Sequence, residues 1–110
     1  MQVKEFLATN TRKVITVSPN TTLHDAMAIL LDNAISCLPV VNSYDTLIGI
    51  VSDKDIFKAA YKDPKNFTAS FVKEVMTSNL IVGILEDDFE YIGALMTNNR
   101  IRHIPIVEEA

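Results

Sequence analysis

The feature that most constrains the fold is a duplication within the chain. The segment VKEF at residues 3–6 returns as VKEV at residues 72–75. The segment CLPVV at residues 37–41 returns as HIPIV at residues 103–107. In both pairs the second copy follows the first at nearly the same distance along the chain, 69 residues in one pair and 66 in the other. Because sequences that repeat at a fixed period fold as repeated supersecondary units, we expect two structurally similar halves.

The first repeat alternates short β-branched segments with segments of helical periodicity. Thr22 offers the side-chain oxygen that an N-cap requires, and Asp25 stands at the reciprocal position of a capping box. The pattern predicts, in chain order, a strand at residues 14–17, a helix at residues 23–34, a hairpin formed by residues 38–41 and 47–51, and a helix at residues 53–61.

The second repeat follows the same order and predicts strands at residues 80–85 and 104–107, with a helical stripe at residues 89–96 between them. Asp87 and Asp88 take over the capping role, and Ser70 is predicted to cap the short helix that precedes these elements. The third strand and closing helix have no counterpart before Ala110. We therefore expect the sheet edge beside residues 104–107 to be covered by another subunit or by further chain.

Neither repeat could bury both faces of a three-stranded sheet by itself, whereas packing two such sheets together buries them. The predicted fold class is α/β (α+β), with two pseudo-symmetric repeats, each a small sheet flanked by helices, packed sheet to sheet. We assign residues 1–61 to the first repeat, residues 62–69 to a polar linker and residues 70–110 to an incomplete second repeat.

Composition excludes several classes of protein. The ten basic residues are scattered over 110 positions, which argues against nucleic-acid binding. No apolar stretch approaches the roughly 20 residues that cross a bilayer, and the N-terminus lacks the pattern of a signal peptide. Cys37 is the single cysteine, so neither an intramolecular disulfide nor a cysteine-based zinc site can form. These features predict a cytoplasmic protein.

Catalytic motifs are also absent from the sequence, which has two histidines and three glycines and contains no nucleophile elbow, zinc-binding helix motif or phosphate-binding loop. The acidic residues around residues 86–90 fit the start of a helix better than a metal site. We therefore predict a protein that is not an enzyme and that requires neither a metal nor a cofactor.

The segment GIVSDKD at residues 49–55 carries the most informative polar residues. An apolar strand ends at Ser52, and a helix begins at once with Asp55 in its first turn. One interpretation is simple helix capping by these two side chains. The other is ligand binding, because a carboxylate can accept hydrogen bonds from both hydroxyls of a cis-diol. The start of a helix can also present backbone N–H groups to an anion. The two interpretations are compatible.

This arrangement resembles a tandem pair of CBS domains, also called a Bateman module. The resemblance rests on the repeated V-K-E start, on V-I-T-V-S-P-N-T-T-L, on I-S-C-L-P-V-V and R-H-I-P-I-V, and on G-I-V-S-D-K-D-I, and it covers nearly the whole chain. It implies a regulatory module that binds AMP, ADP, ATP or S-adenosylmethionine in a cleft between the repeats. It also implies a homodimer and a fused or associated effector domain.

The resemblance further implies the roles of individual residues. Asp55 would take the ribose hydroxyls and Ser52 would lie near the ribose or phosphate, while Arg102 and His103 would hold phosphate. Four further positions complete the implied site: Ile50 and Pro39, with its strand, beside the adenine, Lys54 near the phosphate, and Thr16 near the base.

The mirror-related cleft lacks a cation before Pro39, and its own acidic motif would fall beyond Ala110. We therefore expect at most one nucleotide per chain. The alternative function is a structural dimerisation scaffold whose pocket binds nothing.

Overall fold

The structure, a computed structural model, describes residues 1–10 and 13–108 and combines helices of up to 11 residues with short strands. In chain order the elements are α1 (Val3–Asn10), α2 (Leu23–Asn33), β1 (Cys37–Val41), β2 (Leu47–Ser52), α3 (Asp53–Lys62), a 3-10 helix (Phe67–Ala69), α4 (Val72–Val75), β3 (Gly83–Ile84), α5 (Phe89–Asn99) and β4 (Ile106–Val107). This mixture of helices and small sheets confirms the predicted fold class.

The chain forms two compact units. The hairpin unit consists of Ile15–Asn79 and contains α2, the antiparallel β1–β2 sheet, α3, the 3-10 helix and α4. The terminal unit consists of Met1–Val14 and Leu80–Ala110 and contains α1, α5 and the parallel β3–β4 sheet.

Helix α1 belongs to the terminal unit, although it lies far in sequence from the other elements there. Its first N–H groups donate to the segment that precedes α5, from Val3 to the Asp87 carbonyl at 2.9 Å and from Lys4 to the Leu85 carbonyl at 3.0 Å. The side chain of Val3 is buried. These bonds satisfy N–H groups that have no partner inside the helix and hold α1 against the start of α5.

Helix α4 plays the same part in the hairpin unit. The Val72 N–H donates to the Thr21 carbonyl at 2.8 Å, and the Lys73 N–H donates to the Pro19 carbonyl at 3.0 Å. When the two repeats are aligned, these donors and acceptors are the counterparts of the donors and acceptors that hold α1. The duplication therefore extends to individual backbone hydrogen bonds.

The predicted cap of α4 is wrong. The helix begins after Phe71, whose N–H donates to the Glu74 carboxylate at 2.6 Å. The carbonyl of Ser70 instead accepts from the N–H of Leu23 at 2.9 Å. Ser70 is therefore tied to the start of α2, and the acidic residue of V-K-E-V satisfies the exposed N–H before its own helix.

Helices α2 and α5 end in the same way. Both have 11 residues, and each is followed by a residue in the left-handed region, Ala34 and Arg100, with φ of 53° in both cases. The N–H groups of these two residues turn back and donate to carbonyls of the last helical turn. Such an ending satisfies carbonyls that the helix itself leaves without donors.

The same two helices begin differently. Thr22 accepts from the Asp25 N–H at 3.2 Å, which confirms the predicted N-cap of α2. At the equivalent position before α5, Asp88 makes no side-chain capping bond. The Asp87 carboxylate accepts from the Ile84 N–H at 2.9 Å, on the other side of the turn. The prediction that this acidic pair caps α5 through its side chains is therefore wrong.

The β1–β2 hairpin was predicted almost to the residue. Its turn is organised by Asn42, whose Oδ1 accepts from the N–H groups of Tyr44 at 2.9 Å and Thr46 at 3.0 Å. Asp45 adopts a left-handed φ of 60°, which aspartate tolerates better than most residues. Helix α3 follows directly and covers Asp53–Lys62 where residues 53–61 were predicted.

The strand predicted at residues 14–17 is reduced to a single parallel bridge between Val17 and Val40. The Val17 N–H donates to the Pro39 carbonyl at 3.0 Å, and the Val17 carbonyl accepts from Val41 at 2.9 Å. To continue this ladder, the carbonyl of Ile15 would need a donor at position 39. Proline has no N–H there, so the pairing ends after one residue.

The second repeat shows the same truncation. The strands predicted at residues 80–85 and 104–107 form only β3 and β4, two residues each. The Gly83 N–H donates to the Pro105 carbonyl at 2.9 Å, which is the counterpart of the Val17–Pro39 bond in the first repeat. Pro105 again offers no donor to the carbonyl two residues before the bridge.

The hairpin unit has a well-developed core. Its fully buried large side chains are Leu23, Leu38, Val40, Val51 and Val72. Phe67 packs against this cluster, so the 3-10 helix lies within the hairpin unit. In the described part of the terminal unit, the buried apolar side chains are those of Val3 and Ile92.

Candidate functional site

Ser52 and Asp55 form a complete capping box at the start of α3. The Asp55 N–H donates to Ser52 Oγ at 3.3 Å, and the Ser52 N–H donates to Asp55 Oδ2 at 2.9 Å. The Ser52 hydroxyl adds a third bond to the same Oδ2 at 3.1 Å. The capping interpretation of these residues is therefore confirmed.

The capping bonds fix the orientation of the Asp55 carboxylate without using all of it. The bonds that Ser52 donates both end on Oδ2. A further donor would therefore meet Oδ1, on a side chain that is half-buried and already oriented. A carboxylate held in this way can accept hydrogen bonds from a ligand at little further cost in conformational entropy.

The expectation that backbone N–H groups of this helix start meet an anion is not supported. The Asp53 N–H donates to the Ser36 carbonyl at 2.9 Å, and the Lys54 N–H donates to Asp53 Oδ1 at 2.7 Å. The Asp55 N–H is used by Ser52. Because the first N–H groups of α3 already have acceptors, an anion here would depend on side chains.

Ile50 and Pro39 lie opposite each other as cross-strand partners in the β1–β2 sheet. The N–H and carbonyl of Ile50 both pair with Thr77, at 2.9 and 2.8 Å. Ile50 therefore has no free backbone group to offer a ligand, and only its half-buried side chain remains available. Sequence reasoning missed Thr77, which lies two residues after the V-K-E-V repeat.

Thr16 and Lys54 are both exposed. Thr16 precedes Val17, the residue that bridges to β1. Lys54 lies between Ser52 and Asp55 at the start of α3. The structure thus brings Ser52 and Asp55 into direct contact and pairs Ile50 with Pro39, all within the hairpin unit.

Arg102 and His103 belong to the terminal unit, in the segment that leads to β4. Arg102 is exposed and His103 is half-buried. Each already has an interaction within the chain, so a phosphate would have to compete with it. Within residues 1–10 and 13–108, no group of three His, Cys, Asp or Glu residues is arranged to hold a metal ion.

Residues 3–62 match the family model of the CBS domain. The match covers more than half of the chain, and it includes the β1–β2 hairpin and the capping box of α3. The chain therefore belongs to the CBS domain family, whose members are regulatory rather than catalytic.

Curated relatives support this assignment. The CBS domain-containing protein YhcV of Bacillus subtilis is 32% identical over 92% of this chain and 71% of its own length. An inosine-5'-monophosphate dehydrogenase of Methanocaldococcus jannaschii is 35% identical over 89% of this chain, but the match covers only 18% of that enzyme. The chain thus spans about a fifth of the length of the first curated enzymes that it matches.

Solved structures of similar fold include complexes with adenosine compounds. The CBS domain pair of protein MJ0100, in complex with 5-methylthioadenosine and S-adenosyl-L-methionine, aligns with a TM-score of 0.85. It is 28% identical, and the alignment covers 99% of this chain and 82% of that one. CBSX2 in complex with AMP aligns with a TM-score of 0.79 at 25% identity, over 96% of this chain and 81% of that one.

Among the described residues, no helix combines the length and the apolar character that crossing a bilayer requires.

Proposed function

We propose that this chain is a regulatory module that binds an adenosine-containing nucleotide, namely AMP, ADP, ATP or S-adenosylmethionine. The observation that carries the proposal is the Asp55 carboxylate, which Ser52 holds through Oδ2 at the start of α3. Its second oxygen can accept hydrogen bonds from ribose hydroxyls. The carboxylate follows an apolar strand that can support the flat face of a base.

The remaining contacts of the proposed site follow from the resemblance to CBS pairs. Ile50 and Pro39 flank the adenine with apolar surface, and Thr16 lies near the base. Lys54, Arg102 and His103 contribute positive charge or N–H donors to phosphate. Two structurally similar CBS proteins, bound to S-adenosylmethionine and to AMP, support this choice of ligand class.

The proposed mechanism is a shift in population between arrangements of the module. A nucleotide that binds one arrangement more tightly stabilises it by the difference in affinity, and the effect on a partner domain is limited to that difference. Because the chain corresponds to about a fifth of several enzymes, we propose a fused or associated effector domain as the receiver. A homodimer and a cytoplasmic setting complete the proposal.

A second candidate function is a dimerisation scaffold that binds no nucleotide. One observation favours it: the capping box gives Ser52 and Asp55 a sufficient structural role without any ligand. A second observation also favours the scaffold: the N–H groups of the first turn of α3 already donate within the chain. Such N–H groups often bind phosphate at the start of a helix, and here they are not available for it.

Thermal shift and calorimetric titration with AMP, ADP, ATP and S-adenosylmethionine separate the two functions. Ligand at 100 times its dissociation constant should add about 2.7 kcal/mol of stability. For a chain of this size, that corresponds to a rise in Tm on the order of ten degrees. Stabilisation by at least one of these ligands supports the sensor.

The decisive variant is Asp55→Asn, which keeps a capping oxygen but removes the charge. It should weaken binding by about tenfold to a hundredfold, since hydrogen bonds to charged groups contribute about 1.5–3 kcal/mol. Asp25→Asn is the matched control, because Asp25 occupies the same position of α2 relative to its N-cap. No shift with any ligand would support the scaffold, and turnover of a nucleotide would contradict both functions.

A further inference from the structure

Helix α3 carries three lysines that take no part in its core contacts or in its capping box. Lys54, Lys58 and Lys62 are spaced four residues apart, so they share one face of the helix over a length of about 12 Å. All three are exposed. A fourth exposed lysine, Lys65, follows three residues after the end of the helix. We refer to Lys54, Lys58 and Lys62 as the lysine row of α3.

The lysine row is a local concentration of positive charge on an acidic chain. The net charge of the chain is −4, yet four of its ten basic residues lie within residues 54–65. Helices α2 and α5, which have 11 residues each, contain neither lysine nor arginine. The row therefore gives α3 a charge that the other long helices lack.

The acidic residues of α3 do not neutralise the row. Asp53 Oδ1 accepts from the backbone N–H of Lys54 at 2.7 Å, and Asp55 Oδ2 accepts both bonds that Ser52 donates. In the described part of the chain, none of the three ammonium groups forms an ion pair with a carboxylate. Because like charges four residues apart repel each other, the row slightly destabilises its own helix. An anionic partner would remove this repulsion.

Helix stability does not account for the whole row. Cations stabilise the C-terminal end of a helix, which explains Lys62 in the last turn of α3. Lys54 lies in the first turn, where a positive charge is unfavourable. The residues four positions before the three lysines are Ile50, Lys54 and Lys58, so no acidic residue supports them at that spacing. A binding role accounts for all three lysines.

We propose that the lysine row binds an acidic helical segment of the effector domain that the proposed function assigns to this module. A helix with a carboxylate at every fourth position repeats its charges at the spacing of the row. Lying along α3, such a segment pairs each ammonium group with a carboxylate. The inference rests on the effector of the proposed function but not on its nucleotide.

A nucleic acid or an anionic bilayer fits this surface less well. Both present negative charge over an area much larger than one 10-residue helix. Either would therefore also meet the acidic residues that give the chain its net charge of −4. A single acidic segment can be confined to the row, so charge complementarity favours a protein partner.

The test is a titration of the 110-residue chain into a fluorescently labelled helical peptide that carries glutamate at every fourth position. The control peptide has glutamine at the same positions. Fluorescence anisotropy should show binding of the glutamate peptide at low salt and weaker binding at high salt, because salt screens exposed ion pairs. The glutamine peptide should not bind.

The decisive variant combines Lys58→Gln with Lys62→Gln and leaves Lys54 unchanged, because Lys54 belongs to the proposed nucleotide site. It should weaken binding of the glutamate peptide about threefold to tenfold, the effect expected for the loss of two exposed ion pairs. The matched control combines Lys4→Gln with Lys13→Gln, which removes the same charge from exposed lysines outside α3. The control should bind like the wild type, and circular dichroism checks that both variants keep their helices.

Several outcomes would overturn the proposal. Equal weakening in both double variants would mean that binding follows net charge rather than the row, and no binding of the glutamate peptide at low salt would exclude the surface. Tighter binding of a single-stranded oligonucleotide, or of phosphatidylglycerol vesicles, through Lys58 and Lys62 would assign the row to that partner instead. Self-association that only the α3 variant abolishes would assign it to a second copy.

The docking surface and the nucleotide site can fail independently. Calorimetric titration of the Lys58→Gln/Lys62→Gln chain with AMP, ADP, ATP and S-adenosylmethionine should give the affinities of the wild type. Peptide binding without nucleotide binding would support the row and contradict the proposed ligand. Nucleotide binding without peptide binding would do the reverse.

Discussion

Leu23 in the hairpin unit and Phe89 in the terminal unit occupy equivalent positions of the two repeats, at the start of α2 and α5. The N–H of Leu23 donates to the carbonyl of Ser70, shortly before α4, at 2.9 Å. The N–H of Phe89 donates to the carbonyl of Met1, shortly before α1, at 2.7 Å. Yet Leu23 is fully buried, whereas Phe89 is 39% exposed. The two units share a hydrogen-bond scheme and differ in the depth of their cores.

The difference in core depth follows from the elements that cover the sheet in each unit. In the hairpin unit, β2 pairs with β1 and α3 packs against α2, so Leu38 and Val40 are fully buried. Their equivalents Ile104 and Ile106 remain half-buried in the described part of the terminal unit. A repeated sequence thus fixes local hydrogen bonds in both units, but burial depends on the elements that cover each sheet.

The largest contrast is expected for core truncation. Leu38→Ala should lower the free energy of unfolding by about 3 kcal/mol, because it removes fully buried methyl groups and leaves a cavity. Ile104→Ala should cost about 1 kcal/mol, since Ile104 is only partly buried and its truncation removes less apolar surface from the core. Chemical denaturation of both variants measures the difference. Equal losses would mean that the two cores are equally deep.

The helix starts should show a smaller contrast. Thr22→Ala removes the oxygen that caps α2 and should cost about 1 kcal/mol. Asp88→Ala, at the equivalent position, removes no capping bond but an exposed ion pair with the N-terminal ammonium at 3.5 Å. It should cost a few tenths of a kcal/mol.

Denaturation at low and at high salt separates the two effects. Salt should weaken the ion pair of Asp88 and leave the loss caused by Thr22→Ala unchanged. A larger loss for Asp88→Ala than for Thr22→Ala would contradict the assignment of these caps.

The helix ends should show no contrast. Ala34→Gly and Arg100→Gly each relieve a left-handed backbone with φ of 53° and should stabilise the chain by about 0.5 kcal/mol. Ala28→Gly, within α2, is the control and should cost about 1 kcal/mol. Thermal unfolding of the three variants checks the signs. A clear difference between the two ends would show that the surrounding unit influences even this local feature.

Much of the fold could be predicted from local sequence signals. The periodicity of residues 23–34 indicated α2, and the segment N-S-Y-D-T between apolar strands indicated the hairpin. Strand lengths could not be predicted, because they depend on tertiary pairing. The pairing partner of residues 14–17 contains Pro39, and its missing N–H limits the ladder to one bridge.

The candidate site could be predicted only where its contacts are local in sequence. Ser52 and Asp55 are close in sequence, so their contact follows from helix geometry. Thr77 pairs with Ile50, although α3 and α4 lie between the two residues in sequence. No local sequence pattern predicts such a contact. The roles of Arg102 and His103 in holding phosphate stay predictions. Nucleotide titrations of variants at these two positions can test them.

The docking of α1 and α4 determines where the gene can be divided without separating a helix from its hydrogen-bond acceptors. A gene cut at residues 62–69 would separate α4 from the hydrogen-bond acceptors at Pro19 and Thr21 and would leave α1 without the acceptors at Leu85 and Asp87. Both products would carry a docking helix meant for the other piece. A gene encoding Ile15–Asn79 alone would keep α4 together with the segment that it docks against, so a fragment that preserves this compact unit extends from the first repeat into the second.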